Sequence, residues 1–124
     1  MIHIPRILVI DDNPPMAQTL ADILEAEGYT VYTANSGKEA LLKLREYPVD
    51  LLLTDIRMSG MNGVELTREA RKINPDMDAI LMTAYSDDEM LNQAKADGVK
   101  HVLDKPVDIP ALLSLLRNTG QGEK

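Results

Sequence analysis

The sequence predicts an α/β fold, a doubly wound sheet of five parallel strands with helices on both faces. Three observations predict it. Four apolar runs, Ile7–Ile10, Leu51–Leu53, Ala79–Met82 and Val102–Leu103, are too short for helices and are apolar at consecutive positions. Strands buried on both faces read that way, and such strands belong to parallel sheets. Between these runs and a fifth, β-rich segment, Thr30–Ala34, and after the last, lie stretches with helical periodicity, so strand and helix alternate five times with short links.

The first strand is Ile7–Ile10. Met16, Leu20, Ile23 and Leu24 then form one helical stripe, and Glu27-Gly28 supplies the stop. The second strand is the β-rich, alternating segment Thr30–Ala34. Ser36 followed by Glu39 predicts a capping box that opens a helix through Ala40, Leu41 and Leu44. After the third strand, Leu66, Ala70 and Ile73 fall at helical spacing, and Asn74-Pro75 ends that helix. After the fourth, Ser86–Asp97 is a helix with Met90, Leu91 and Ala94 inside and Gly98 at its end. After the fifth, Asp108 is the N-cap of a helix carrying Ile109, Leu112, Leu113 and Leu116, with Pro110 in its first turn. The strand order expected is 2-1-3-4-5, the flavodoxin-like order, in which ligands bind at the carboxyl ends of strands 1 and 3. Residues 1–119 form one domain, and 120–124 are a polar tail or the start of a linker.

Composition narrows the chemistry. The 124 residues carry 20 Asp+Glu and 13 Lys+Arg, for a formal net charge of -7. That balance opposes direct nucleic-acid binding, which needs clustered Lys and Arg. The absence of Cys excludes disulfides, thiolate-bound metals and thiol catalysis. Only His3 and His101 are available as imidazoles, too few for a histidine-based metal site, and His101 is expected on the surface side of the fifth strand. No apolar run approaches the roughly 20 residues that cross a bilayer. The N-terminus lacks the pattern of a signal peptide, so the expected location is cytoplasmic, with no membrane partner.

The residues just beyond each strand are more informative. The first strand ends in Asp11-Asp12, the third in Thr54-Asp55, the fourth in Thr83-Ala84 and the fifth in Asp104-Lys105-Pro106. Parallel strands deliver all of these to one edge of the sheet. Taken singly, each has an ordinary explanation: a solvated turn, a capping hydroxyl, a surface lysine. Asp55 is the exception, because a carboxylate leaving a buried strand needs a partner to offset its desolvation. Asp11, Asp12 and Asp55 should converge and repel one another, and a hard divalent cation resolves that conflict. With oxygen ligands only, Mg²⁺ is the natural ion and Mn²⁺ the alternative. Lys105 adds positive charge and Thr83 a hydroxyl donor, which together suit a phosphoryl group. An Asp can itself be the nucleophile and form an acyl phosphate.

In this arrangement the chain resembles the receiver domain of two-component response regulators. The resemblance runs from Arg6 to about Asn118. It is carried by Leu8-Val-Ile-Asp-Asp-Asn13, Asp55-Ile-Arg-Met-Ser-Gly-Met-Asn-Gly63, Leu81-Met-Thr-Ala-Tyr85 and Gly98 through Lys105-Pro106. The resemblance implies Asp55 as phosphoacceptor. It implies Mg²⁺ held by Asp12 directly, by Asp11 through water, by Asp55 and by the Arg57 main-chain carbonyl. Lys105 would contact the phosphoryl oxygens, and Thr83 would turn toward the phosphoryl group and report it. Lys105-Pro106 would be cis, aiming Lys105 inward. A sensor histidine kinase or a histidine phosphotransfer protein would be the donor, and a conformational shift would regulate a partner or output domain. The domain would assist its own phosphorylation and dephosphorylation without being a turnover enzyme.

Three positions depart from the family pattern. Val102 and Val107 replace aromatics, and Ser59 replaces a proline. Val102 has no ring to follow Thr83 inward, so the signal is expected to leave through Thr83, the fourth helix and Tyr85. Arg57 and Tyr85, two residues beyond Asp55 and Thr83, are bulky and should shield the phosphoryl group from water. The main rival is an interaction module that keeps the fold without the phosphorylation cycle. A phosphatase of the haloacid-dehalogenase type would need Asp-x-Asp after the first strand and a cap domain. Flavin and dinucleotide carriers fail for want of their phosphate loops.

Overall fold

The computed structural model describes residues 4–84 and 89–120. Its elements alternate as the sequence predicts: β1 (Arg6–Ile10), α1 (Pro14–Ala26), β2 (Thr30–Ala34), α2 (Gly37–Glu46), β3 (Leu51–Asp55), α3 (Gly63–Ile73), β4 (Asp78–Thr83), α4 (Met90–Ala96), β5 (His101–Asp104) and α5 (Ile109–Gly120). The strands form one parallel sheet in the order β2-β1-β3-β4-β5.

The sheet separates two cores. Leu8, Ile10, Leu52 and Leu81 point to the face covered by α2, α3 and α4. Ile7, Val9, Leu51, Leu53, Ile80 and Met82 point to the face covered by α1 and α5. Consecutive residues of β1, β3 and β4 thus enter opposite cores, which is why these strands are apolar without alternation. β3 is buried along its whole length.

Helix ends follow local chemistry. Asn13 caps α1 by accepting the Met16 N–H, and Asp108 accepts the Ala111 N–H at the start of α5. At α2, Ser36 Oγ accepts the Glu39 N–H, but the Glu39 carboxylate reaches back to the Asn35 N–H, one residue before the cap. The reciprocal capping box occurs instead at α3, between Asn62 and Glu65.

Some boundaries and faces differ from the sequence reading. Met16 is 48% exposed and Ile73 37% exposed. The buried stripe of α1 is Ala17, Leu20, Ala21 and Leu24, so Met16 sits on its rim. On α3, Val64, Leu66, Thr67 and Ala70 fill the buried face before Ile73 is reached. α4 is described from Met90, and the Ser86–Asp88 portion of the expected helix lies outside the described residues, while Ala94 is buried as expected. His101 is half-buried rather than on the surface, because β5 turns it toward the α5 face, where it lines a cleft with Arg71, Asp78 and Lys100. α5 runs through Gly120, one residue into the expected tail, and residues 121–124 lie outside the described set. No helix among the described residues is long and apolar enough to cross a membrane.

At the sheet's β2 edge, the Ala34 carbonyl accepts the Asp11 N–H and so faces β1. Carbonyls alternate along a strand, so that of Thr33 faces outward. The Lys43 ammonium, reaching across from α2, donates to it.

Candidate functional site

Strand register brings the polar residues together. Ile10 pairs with Thr54, Asp55 with Met82, and Thr83 with Asp104. Asp11 therefore leaves β1 beside the end of β3, and one carboxylate oxygen from each of Asp11, Asp12 and Asp55 lies within 4.8 Å of the others. These three, with Arg57, Thr83 and Lys105, line one cleft of about 230 Å³.

The three carboxylates are held differently. Asp11 is 2% exposed. Its Oδ1 accepts the Asn13 N–H at 2.9 Å, and its carbonyl accepts from Asn35 Nδ2 at 3.0 Å. Asp12 is exposed, and its Oδ2 accepts the Ser59 N–H at 3.1 Å. Asp55 is 5% exposed, with the Lys105 ammonium 2.5 Å from its Oδ1. That charge-assisted contact is what the buried Asp55 Oδ1 has to offset its desolvation. The same ammonium lies 3.5 Å from Asp11 Oδ2.

Electrostatics follow from this crowding. Burial pushes the Asp55 carboxyl up from 3.8 to about 6; Lys105 opposes the shift and Asp11 adds to it. Burial would lower Lys105, but the Asp55 and Asp11 carboxylates outweigh it and hold the ammonium above its usual range.

Thr83, the last residue of β4, is buried, and its carbonyl accepts the Lys105 N–H at 2.8 Å, which ties the end of β5 to β4. The Lys105–Pro106 peptide is cis. Arg57 is exposed at the cleft wall. Tyr85 lies outside the described residues. Val102 is not in the cleft: it pairs with Leu81 and packs against the α2–α3–α4 core. Val107 packs on the opposite core, and Pro106 is exposed.

Two supports escape a reading of side chains alone. Gly63 donates its N–H to the Ile56 carbonyl at 2.7 Å, and a Cβ there would lie 2.3 Å from the Asp55 carbonyl oxygen. Only glycine lets α3 start this close to the end of β3, and Asn62 then caps it. The Ser59 N–H is a main-chain donor, available because residue 59 is not proline.

The donor set fits a divalent cation. All the candidate ligands are hard oxygens, and the single ammonium of Lys105 leaves three converging carboxylates with an excess of negative charge. A cluster of three carboxylates facing one ammonium can hold such a cation and leave Lys105 beside the remaining space.

The response regulator receiver domain family model matches residues 7–117. A response regulator receiver protein of Anaeromyxobacter sp. (strain Fw109-5) is 44% identical over 110 residues, covering 89% of this chain and 46% of that protein. The transcriptional regulatory protein GlrR of Escherichia coli (strain K12) is 41% identical over 113 residues, covering 90% of this chain and 26% of that protein. The chain thus spans less than half the length of these curated relatives. Among solved structures, a CheY-like response regulator receiver domain protein from Methanospirillum hungatei JF-1 superposes with a TM-score of 0.87 at 33% identity, covering 94% of this chain and 93% of that one. The response regulator protein TrrA from Thermotoga maritima, solved in complex with Mg²⁺-BeF, gives 0.81 at 35% identity, covering 92% and 97%. With its sheet order, its strand-end cluster and these matches, the chain belongs to the response regulator receiver domain family of two-component signalling.

Proposed function

We propose that this chain is the phosphoacceptor of a two-component or phosphorelay system, taking a phosphoryl group from a histidine kinase or phosphotransfer protein onto Asp55. The observation that carries the reading is the setting of Asp55: a buried carboxylate lining the cleft, in contact with the Lys105 ammonium and within 4.8 Å of an oxygen of Asp11 and of Asp12. An Asp55 carboxylate oxygen attacks the phosphorus of a phosphohistidine. The P–N bond breaks, the imidazole nitrogen leaves with the electron pair, and an acyl phosphate forms on Asp55. Mg²⁺, or Mn²⁺, held by Asp11, Asp12, Asp55 and the Arg57 carbonyl, supplies charge neutralisation on the phosphoryl oxygens when bound. Lys105 provides the second positive charge. It exchanges its ion pair with the carboxylate for one with the phosphoryl oxygens. Thr83, in the cleft lining, supplies a hydroxyl donor and links the event to the segment leading into α4. Arg57, at the cleft wall, slows the approach of water.

The test is incubation with acetyl phosphate and Mg²⁺, read by intact mass. One added phosphate that is absent in Asp55→Asn supports the reading. No added mass in either protein refutes it and favours an interaction module that has kept the fold without the phosphorylation cycle.

A further inference from the structure

We infer that the main-chain N–H of Ser59 is a positioning group for the cation site: it fixes the one carboxylate of the cluster that the fold leaves loose. The inference rests on the proposal that Asp11, Asp12 and Asp55 hold a divalent cation. Asp11 and Asp55 are locked by burial, by the Asn13 N–H and by Lys105. Asp12 is exposed, and among the described residues its one hydrogen bond comes from Ser59, 47 positions away in the β3–α3 connection. Without that bond, an exposed Asp side chain samples several rotamers and must be ordered when the cation arrives. The bond is to Oδ2, and the carboxylate has a second oxygen, Oδ1, with which it can meet the ion while the bond persists. Outer donors of this kind orient metal ligands and tune affinity.

The residue type at 59 decides whether the bond exists. Any residue except proline carries the N–H. The connection is itself anchored at its far end, where the Gly63 N–H meets the Ile56 carbonyl and Asn62 caps α3. The donor is therefore presented by a braced loop. Through it, cation affinity becomes coupled to the conformation of residues 56–62.

The experiment is Mg²⁺ titration of wild type, Ser59→Ala, Ser59→Pro and Asp12→Asn, followed calorimetrically. Ser59→Ala keeps the N–H and should bind within about twofold of wild type. Ser59→Pro removes a charge-assisted hydrogen bond and should bind about tenfold more weakly. Its metal-free melting temperature should stay within about 3 °C of wild type, the change expected for less than ~1 kcal/mol in a domain of this size. Equal affinity in Ser59→Pro and wild type overturns the inference, and so does an equal loss in Ser59→Ala. If Ser59→Pro does not fold, the wild-type protein decides. Its Ser59 amide must keep the small temperature coefficient of a hydrogen-bonded proton at saturating Mg²⁺. An amide released to water by Mg²⁺ would make the bond a competitor of the ion and overturn the assignment. Failure of wild type to bind Mg²⁺, or undiminished binding in Asp12→Asn, refutes the cation site itself and the inference with it.

Discussion

Replacing Asp55 by Asn should change how the stability of the metal-free protein depends on pH. The native carboxyl titrates near 6 and the unfolded one near 3.8. As pH rises past about 4 the unfolded chain loses this proton while the native state keeps it. The native state then binds more protons, so stability falls until about pH 6 and stays lower above it. The shift corresponds to at most about 3 kcal/mol, since each pKa unit is worth ~1.36 kcal/mol. Asn at 55 has no such titration. The attraction to Lys105 exists only once Asp55 is ionised and is already contained in the titration near 6, so it is not counted a second time. Urea denaturation of both proteins in chelator, from pH 4 to 7.5, should therefore show wild type losing up to about 3 kcal/mol relative to the variant, a melting shift on the order of 10 °C. Saturating Mg²⁺ should abolish the loss in wild type and leave Asp55→Asn little changed, because the ion binds the native ionised site. A difference between the two proteins that stays flat with pH in chelator would refute the account of Asp55 as a carboxylate under desolvation strain.

Three more outcomes are expected from the same geometry. Gly63→Ala places a methyl 2.3 Å from the Asp55 carbonyl oxygen and should cost about 2–3 kcal/mol, measured by denaturant unfolding. Arg57→Ala opens the cleft wall and should speed loss of the phosphoryl group several-fold, read by the decay of phosphorylated mass; an unchanged half-life removes the shielding role. Beryllofluoride with Mg²⁺ should shift backbone resonances across Met90–Ala96, and Thr83→Ala should largely suppress those shifts while still binding the analogue; unmoved resonances in wild type exclude α4 as the route out.

Much of the architecture was legible because β1, β3 and β4 have no wet face. Leu51, Leu52 and Leu53 alternate between two cores, so a consecutive apolar run was enough to mark a parallel strand and to place Asp55 at its end. Lys105 and the three acids could be gathered at one edge for the same reason. Helix faces were less legible. Periodicity gives the spacing of a stripe but not its width, and Met16 and Ile73 fell just beyond the buried part. The pair Asp11-Asp12 reads as two equal acids, yet adjacent positions point apart, and one is buried while the other is exposed. The supports least visible in the sequence are main-chain groups. Ser59 acts through a backbone N–H, and Gly63 through the absence of a side chain. A glycine after a capping Asn is a signal that could have pointed to the latter.

The lysine that reaches over β2 bears on how this domain behaves in a crowded solution. An outward row of strand carbonyls invites a second chain to add a strand, the first step toward aggregation. By occupying the Thr33 carbonyl with a charged donor, Lys43 makes that edge unattractive without altering the core. Strand addition is thus opposed at the β2 edge, while the recognition chemistry stays at the carboxyl ends of the strands.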